Sequence, residues 1–383
     1  MNTSFFSGRL IIAAGILACI NIAFAETSGA PVKDSRELPL YKVPNLAENG
    51  EAYYAPDGVH LIAQVKDPDG QDPGRGKVGG ALTYTFTDTG EDIRRINDRG
   101  MDACSWFYPD KERLLWTSTR DHINDMPAGN WSDDADYPQG SELYSSDIDG
   151  KNIKRLTNNK WYDAEGTVSP DGKWIVFGRQ INGNADLWRM KSDGTEQIQL
   201  TFTADWQEGE AYFLPDSATV IFRAWKQSEK EQLELLDRKN GTRTQTPMNL
   251  YTLKILGPDL DVQQRTFTYD TNWAPFPAPD GRHFLVVRIL EHGNWELFLG
   301  DLADGSKLKR ITYNEGWDGM GAFSPDGQKM VLTRGEPGSR ALYSYVMDVS
   351  SLDLGPENYK GVPPKSKPPD GWVENPADFA AWR

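Results

Sequence analysis

The sequence predicts an all-β protein: a six-bladed β-propeller of four-stranded antiparallel blades, closed by the N-terminal strand joining the last blade. Three observations carry this. A Pro-Asp pair recurs six times between an aromatic-rich stretch and an apolar one, at Pro56-Asp57, Pro109-Asp110, Pro170-Asp171, Pro215-Asp216, Pro279-Asp280 and Pro325-Asp326. Successive prolines are 53, 61, 45, 64 and 46 residues apart, bracketing the length of one blade. Finally, residues 38–43 form an orphan strand ahead of the first unit, while the sixth unit lacks a convincing fourth strand. Pairing the orphan with the last blade would leave no open blade edge.

The turns come first in each unit. In SPDGKWIVF (169–177) and SPDGQKMVL (324–332), Pro presets the first turn position and Asp-Gly completes a type I-like turn between two strands. The third unit shows its four strands at 166–169, 174–179, 186–191 and 197–201, each short and rich in β-branched and aromatic residues. Asp149-Gly150, Asp193-Gly194 and Asp304-Gly305 mark hairpins before the fourth strand. That strand closes on an apolar residue plus Thr: Leu156-Thr157, Leu200-Thr201, Ile311-Thr312. In the sixth unit strands are expected at 321–323, 330–333 and 342–349.

The 383 residues are therefore read as one propeller spanning 38–355. Residues 1–25 read as a secretory signal, with Arg9, an apolar run over 10–20, and Ala23-Phe24-Ala25 as the cleavage site. Residues 26–37 would then be a linker, and the Pro-rich residues 356–383 a tail on the surface or partly disordered. The expected location is the periplasm; secretion, or lipid anchoring through Cys19 in Ile16-Leu17-Ala18-Cys19, are the alternatives. No later segment approaches the roughly 20 apolar residues of a membrane span. The formal charge of -15 becomes -16 once Arg9 is removed, and no basic patch is present to neutralise phosphates, which argues against nucleic acid. Cys104 would be the one cysteine left, so no internal disulfide can form. A monomer is expected.

Three units are stretched between their second and third strands, at 67–80, 119–141 and 225–249. Such loops share a face with the blade-to-blade connections, and insertions gathered on one face of a repeat array mark a binding face. On that face a second repeat appears. Seven residues before each Pro stand Asn49, Asp102, Asp163, Glu208, Asn272 and Asp318; five before stand Glu51, Cys104, Glu165, Glu210, Ala274 and Met320. Two-residue spacing on a strand puts both positions on one side, ringing the mouth of a central channel with acid. Such a funnel would attract a cation, an amine-bearing ligand or a basic peptide. The alternative is that these carboxylates only accept hydrogen bonds from neighbouring blades. Trp161, Trp206, Trp273 and Trp317 lie in the same loops; they would stack on a ligand, or wedge between blades as core. The ligand-binding candidates are thus Asp102, Asp163, Glu165, Glu208, Glu210, Asp318 and these four Trp residues.

Chemistry beyond binding has weak signals. Asp67, Asp69, Gly70 and Asp72 imitate a calcium loop without its closing Glu, and Asp133, Asp134 and Asp136 suit a solvated acidic turn. Neither a Gly-x-Ser-x-Gly elbow nor a His-Glu-x-x-His motif is present. His60 and His283 follow the turns, on the face opposite the funnel; His122 and His292 lie on the funnel side, where two histidines could join carboxylates at a metal or act as acid and base. Cys104 fits a small buried residue better than a nucleophile. Neither a cofactor nor a resident metal is expected.

The SPDG turns, the Asp-Leu-Trp-Arg-Met-Lys-Ser-Asp-Gly run at 186–194 and the closing Leu-Thr pairs resemble the TolB-type, WD-like β-propeller repeat proteins of bacterial envelopes. The resemblance spans residues 38 to about 350. It implies a six-bladed propeller acting as a periplasmic protein-binding module, or as a module beside a peptidase domain. TolB itself carries an α/β domain ahead of its propeller and acts with the peptidoglycan-associated lipoprotein; about a dozen residues separate the cleavage site from the first strand here, too few for that domain. Prolyl oligopeptidase-type enzymes need a hydrolase domain for which the tail is too short. Oligogalacturonate lyases place several histidines around a metal at the channel mouth, a pattern His122 and His292 alone do not match. The preferred expectation is a non-catalytic exported propeller binding a protein segment or saccharide at an acidic, Trp-bearing mouth. An envelope enzyme acting on a polyuronide or peptide through the same face is the alternative.

Overall fold

The structure is a computed structural model that describes residues 34–72, 77–78, 80–123, 129–131, 135, 137–242, 244–256, 261–290 and 293–372. Six four-stranded antiparallel sheets form the ring. Blades 1 to 6 begin with inner strands Asn49–Tyr54, Asp102–Phe107, Tyr162–Val168, Trp206–Phe213, Asn272–Pro277 and Asp318–Phe323. The sixth sheet completes itself with Leu40–Lys42, which pairs with Leu342–Asp348 in the register Leu40↔Met347 to Lys42↔Tyr345. The orphan strand thus supplies the missing fourth strand, as its position in the sequence predicts.

Because each blade is sandwiched between two others, its second strand meets apolar neighbours on both faces and carries no alternation. Ile175-Val176-Phe177, Val220-Ile221-Phe222, Phe284 to Val287 and Met330-Val331-Leu332 are all essentially inaccessible to solvent. These runs hold the blades together by apolar burial, at about 25 cal/mol per Å².

All six Pro-Asp pairs sit in tight turns on one face. The carbonyl of the residue before each Pro accepts from the N–H three positions on, as in Ser169 with Gly172 (2.8 Å) and Ser324 with Gly327 (2.9 Å). That fourth residue is left-handed in every copy; where Gly is missing, Lys111 (φ 64°) and Ser217 (φ 56°) take the strain instead. The Asp carboxylate caps the turn by accepting from the backbone N–H two residues on and, in four copies, also three residues on, as Val59 and His60 on Asp57 (2.8 and 2.9 Å); in the two Ser-Pro-Asp-Gly copies the Ser169 and Ser324 hydroxyls accept the second N–H.

The insertions lie on the opposite face. Residues 67–80 return through a small ribbon pairing Gln71–Asp72 with Lys77–Val78. The 225–249 insertion holds a helix, α1 (Gln227–Asn240), that the strand-based reading does not anticipate. Its leucines, Leu233, Leu235 and Leu236, are too few to bury a face, and it ends on left-handed Gly241. Residues 356–372 form a strap on the turn face. Tyr359 packs against Gly281 at one of the turns, and Lys367 exchanges backbone hydrogen bonds with Ala303 and Gly305 (both 3.0 Å). Arg265, buried, fixes the strap by donating to the carbonyl of Pro363 (2.8 Å). The signal, Cys19 and the end of the tail lie outside the described residues, as do His292, Asp133, Asp134 and Asp136. Among the described residues, no helix is long and apolar enough to cross a membrane.

Candidate functional site

The geometry separates the two acidic ranks that the sequence places on one side. In every blade the residue five before Pro has a left-handed backbone: Glu51 (φ 55°), Cys104 (41°), Glu165 (58°), Glu210 (49°), Ala274 (49°) and Met320 (48°). The pairing register shifts at the same point, as between Ala164 and Thr167. A bulge therefore interrupts the two-residue alternation, so positions five and seven before Pro no longer share a face. Ala274 and Met320 adopt the same conformation as the glutamates, which makes the bulge part of the architecture.

The rank at minus seven turns into the ring, where each member is essentially buried. Asp163 forms a two-point pair with Arg179 (2.6 and 2.7 Å) and accepts from Asn159 (2.8 Å). Asp318 repeats this with Arg334 (2.8 and 2.7 Å) and Asn314 (3.0 Å). Asp102 accepts from the N–H and hydroxyl of Thr83 (2.8 and 2.9 Å) and from Asn97 (2.7 Å), and burial raises its carboxyl to about 6. Glu208 accepts from Thr203 (2.5 Å) and Thr201 (3.4 Å), and burial raises it as well. The Arg179 and Arg334 pairs brace the first two strands of a single blade, while the contacts with Thr83, Asn97, Asn159, Thr201, Thr203 and Asn314 tie the start of one blade to the end of the one before or its connection.

The rank at minus five faces the channel. Glu165 accepts from the backbone N–H of Glu210 in the next blade (2.6 Å), and Glu210 from that of Ala274 in the blade after (3.0 Å); Glu51 reaches the N–H of Cys104 at 3.4 Å. Each carboxylate thus points around the ring toward the next bulge. Buried Arg223 sits between two of them, donating to Glu165 (3.2 Å) with its Nε 3.1 Å from Glu210. Gly209 makes room for this: a Cβ there would lie 2.6 Å from the Glu165 carboxylate. Burial, with repulsion from Glu210 and Glu165, lifts Glu51 to about 7 despite hydrogen bonds from Cys104. Burial and Glu165 lift Glu210 to about 7 against the pull of Arg223. Burial also pushes the Cys104 thiol well up, the opposite of an activated nucleophile.

Two residues further along each inner strand, Tyr53, Trp106, Tyr212 and Phe276 fill the channel beneath the carboxylates. All six pairs among these rings have centroids between 4.9 and 6.1 Å apart, and the Tyr53 and Tyr212 hydroxyls are hydrogen-bonded at 2.7 Å. The mouth is therefore a blind cavity above an aromatic floor.

Its roof comes from the 119–141 insertion. Trp131 packs edge-on against Tyr162 (6.0 Å) and Tyr137 stacks on the same ring (4.4 Å), while the Tyr137 hydroxyl bonds Arg223. Glu51, Gln64, Cys104, Trp131, Glu165 and Glu210 are among the lining residues. Aromatic residues three before Pro recur in four of the six units, so that floor was recoverable from the sequence. Trp131, Gln64 and Arg223 carry no local signal.

Of the four loop tryptophans, Trp206 and Trp273 are buried between blades. Trp317 packs on Trp273 and Trp295 (both 6.4 Å), and half-buried Trp161 lies under Lys160 (4.6 Å). His60 and His283 pair with Asp57 and Asp280 on the turn face (2.7 and 2.5 Å). His122 has its Nε2 2.5 Å from Arg155 and 4.0 Å from Glu142. Asp67 and Asp69 are held by Arg95 at 3.3 and 3.0 Å. Among the described residues, no three His, Cys, Asp or Glu side chains gather closely enough to hold a metal ion.

The chain has the fold of the TolB-type propellers. It aligns with TolB from Acinetobacter baumannii at a TM-score of 0.51 and 17% identity, over 78% of this chain and 64% of that one. A protein of Agrobacterium tumefaciens assigned as TolB aligns at 0.51 and 16%, over 81% and 96%. An oligogalacturonate lyase in complex with manganese aligns at 0.50 and 10%, over 81% and 96%, so the TolB-like fold is also that of an enzyme. In sequence, the uncharacterized protein Atu1656 of Agrobacterium fabrum is 30% identical over 214 residues, 55% of this chain; the match spans 63% of that relative's length, less than two thirds. No family model matches the chain.

Proposed function

We propose that the protein is an exported, periplasmic, non-catalytic binding propeller that takes a segment of a partner protein at the channel mouth on its insertion face. The observation that carries this reading is the convergence of Glu51, Glu165 and Glu210 on a cavity with an aromatic floor and an aromatic roof. Above about pH 7, where Glu51 and Glu210 are ionised, three carboxylates matched by one buried Arg leave the mouth negative, which favours a basic segment. The tail strap crosses the turn face, so a partner approaches from the insertion side. Against catalysis stand a thiol pushed up by burial and His122 held by Arg155.

The test is capture of partners from an envelope extract by the mature chain and by a Glu51→Gln/Glu165→Gln/Glu210→Gln variant. Gln retains an acceptor for each backbone N–H, so the variant should fold, with Tm within a few degrees. Partner capture is expected to fall at least tenfold. Capture of the same proteins by both forms would refute the reading, and so would binding of neutral saccharides in place of protein. Turnover of polygalacturonate by purified protein would favour the enzymatic alternative.

A further inference from the structure

The cavity at the mouth is unevenly satisfied. Gln64 stands on the second strand of blade 1 (His60–Lys66) opposite Gly50, the same register position that Arg223 takes opposite Gly209 and Thr333 opposite Gly319. Two of these three serve the bulge rank: Thr333 accepts from the N–H of Glu51 (2.8 Å) and Arg223 donates to Glu165. Gln64 differs. Its amide nitrogen donates to Ser105 (2.9 Å), while its carbonyl oxygen is buried without a partner. Trp131 in the roof is likewise 94% buried, at 6% exposure, and its indole N–H has no acceptor. Both residues line the cavity with the three glutamates. A buried acceptor and a buried donor left unpaired on the walls of one cavity are costly until a ligand supplies the complement.

We propose that the cavity binds one primary ammonium group, accepted by Gln64 Oε1 and the Glu51 and Glu210 carboxylates, with a neighbouring carbonyl of the same ligand accepting from Trp131. This deepens the reading above and rests on it. An ammonium offers three donors and a full charge, which meets an acceptor and a ring of acids; Trp131 and Tyr162 add aromatic surface beside the cation. A guanidinium would need a flat, two-point acceptor, whereas these acceptors come from different blades around an axis. The carboxyls of Glu51 and Glu210 hold protons up to about 7, facing one another, Glu165, Cys104 and Arg223, so an arriving cation displaces protons. In a protein segment the group is either a lysine side chain or a free amino terminus.

Three probes separate those sources: acetyl-Gly-Lys-Gly-amide, Gly-Gly-Gly-amide with its free amino terminus, and neutral acetyl-Gly-Gly-Gly-amide, each titrated calorimetrically at about pH 6.5 and about pH 8 in two buffers of different ionisation enthalpy. At least one ammonium probe should bind tenfold or more tightly than the neutral one, with proton release at about pH 6.5; at about pH 8 the lysine probe should exchange few protons, and the half-neutral amino-terminal probe should take protons up. Gln64→Leu should weaken it at least tenfold and Trp131→Phe about threefold, while Gln64→Glu, which keeps the acceptor, should retain it. Equal affinity for all three probes overturns the assignment, as does binding of none. If partner capture is lost in the triple glutamine variant but is unaffected when the partner's amines are acetylated, the ammonium is wrong and the mouth stands. If capture survives the triple variant, both fall.

Discussion

Asp57, Asp110, Asp171, Asp280 and Asp326 on the turn face hold their protons more weakly than an ordinary aspartate, whereas Glu51 and Glu210 at the channel mouth hold theirs up to about 7. Burial pushes every one of these carboxyls upward. On the turn face it is outweighed by donors that each Asp finds in its own turn: the N–H groups of Val59 and His60 for Asp57, the ring of His283 for Asp280. At the mouth the donors must come from the next blade, one N–H at a time, and the neighbours are other acids. The lesson is that a carboxylate supplied by its own turn becomes scaffold, while one that depends on a neighbour keeps capacity for a ligand.

Breaking the inward-turned acids beside the mouth should have the largest effect. Asp163→Ala leaves buried Arg179 without its carboxylate and with only the Gln197 side chain as acceptor, and denaturant unfolding should show a loss of about 3–5 kcal/mol. If the loss is under about 1 kcal/mol, the ring does not depend on this pair and the distinction between scaffold and site weakens.

A pH titration of stability compares the two faces in one experiment. Glu51 and Glu210 bind protons more tightly in the folded state, so between about 4.5 and 7 the native protein holds protons that the unfolded chain has released. Stability from this source is full below about 4.5 and is lost as pH rises through 7. The turn-face aspartates work the other way: their contribution is present above the ordinary aspartate range and is lost as pH falls through their lowered values. The free energy of unfolding should therefore rise by an amount on the order of 2–4 kcal/mol as pH drops from about 8 to about 5, with Tm rising alongside, and both should fall again below about 3.5. The glutamine triple variant should make the upper limb shallower, without abolishing it because buried Asp102, Glu208 and Glu296 are raised too, and should leave the lower one. A monotonic rise from pH 3 to 8 would contradict the assignment.

Smaller effects sharpen the turn face. Asp280→Ala removes two backbone caps and the His283 pair, at about 1–2 kcal/mol. Lys111→Gly should stabilise by about 0.5–1 kcal/mol, because the turn holds Lys111 left-handed where four other copies have Gly. Thermal melts would read both, and destabilisation by Lys111→Gly would show that its side chain contributes more than the strain costs.

The blades were legible because proline, aspartate and glycine must occupy fixed turn positions whatever surrounds them. The clasp was legible by subtraction, from a strand too many at one end and one too few at the other. The mouth was half legible. Glu165 and Glu210 stand out in the sequence by their charge and repeat position, but pairing them with Asp163 and Glu208 assumes unbroken alternation, and a bulge formed by glutamate, alanine or methionine has no compositional mark. Trp131 reaches its place through a loop whose path depends on contacts with Tyr162 some 30 residues away in sequence, beyond what a local pattern records. Helix α1 was missed because strand periodicity on either side dominated the unit, though Gly241 and the charged run before it are helix-end signals.

The clasp sets a schedule. Residues 40–42 are among the first of the ring to be synthesised, and their partner strand at 342–348 is the last. At about 5–20 residues per second, the oldest strand waits roughly 15–60 seconds for the youngest. Until then the bulge carboxylates have no complete circle to face, so the mouth comes into being only after every blade that lines it has been made.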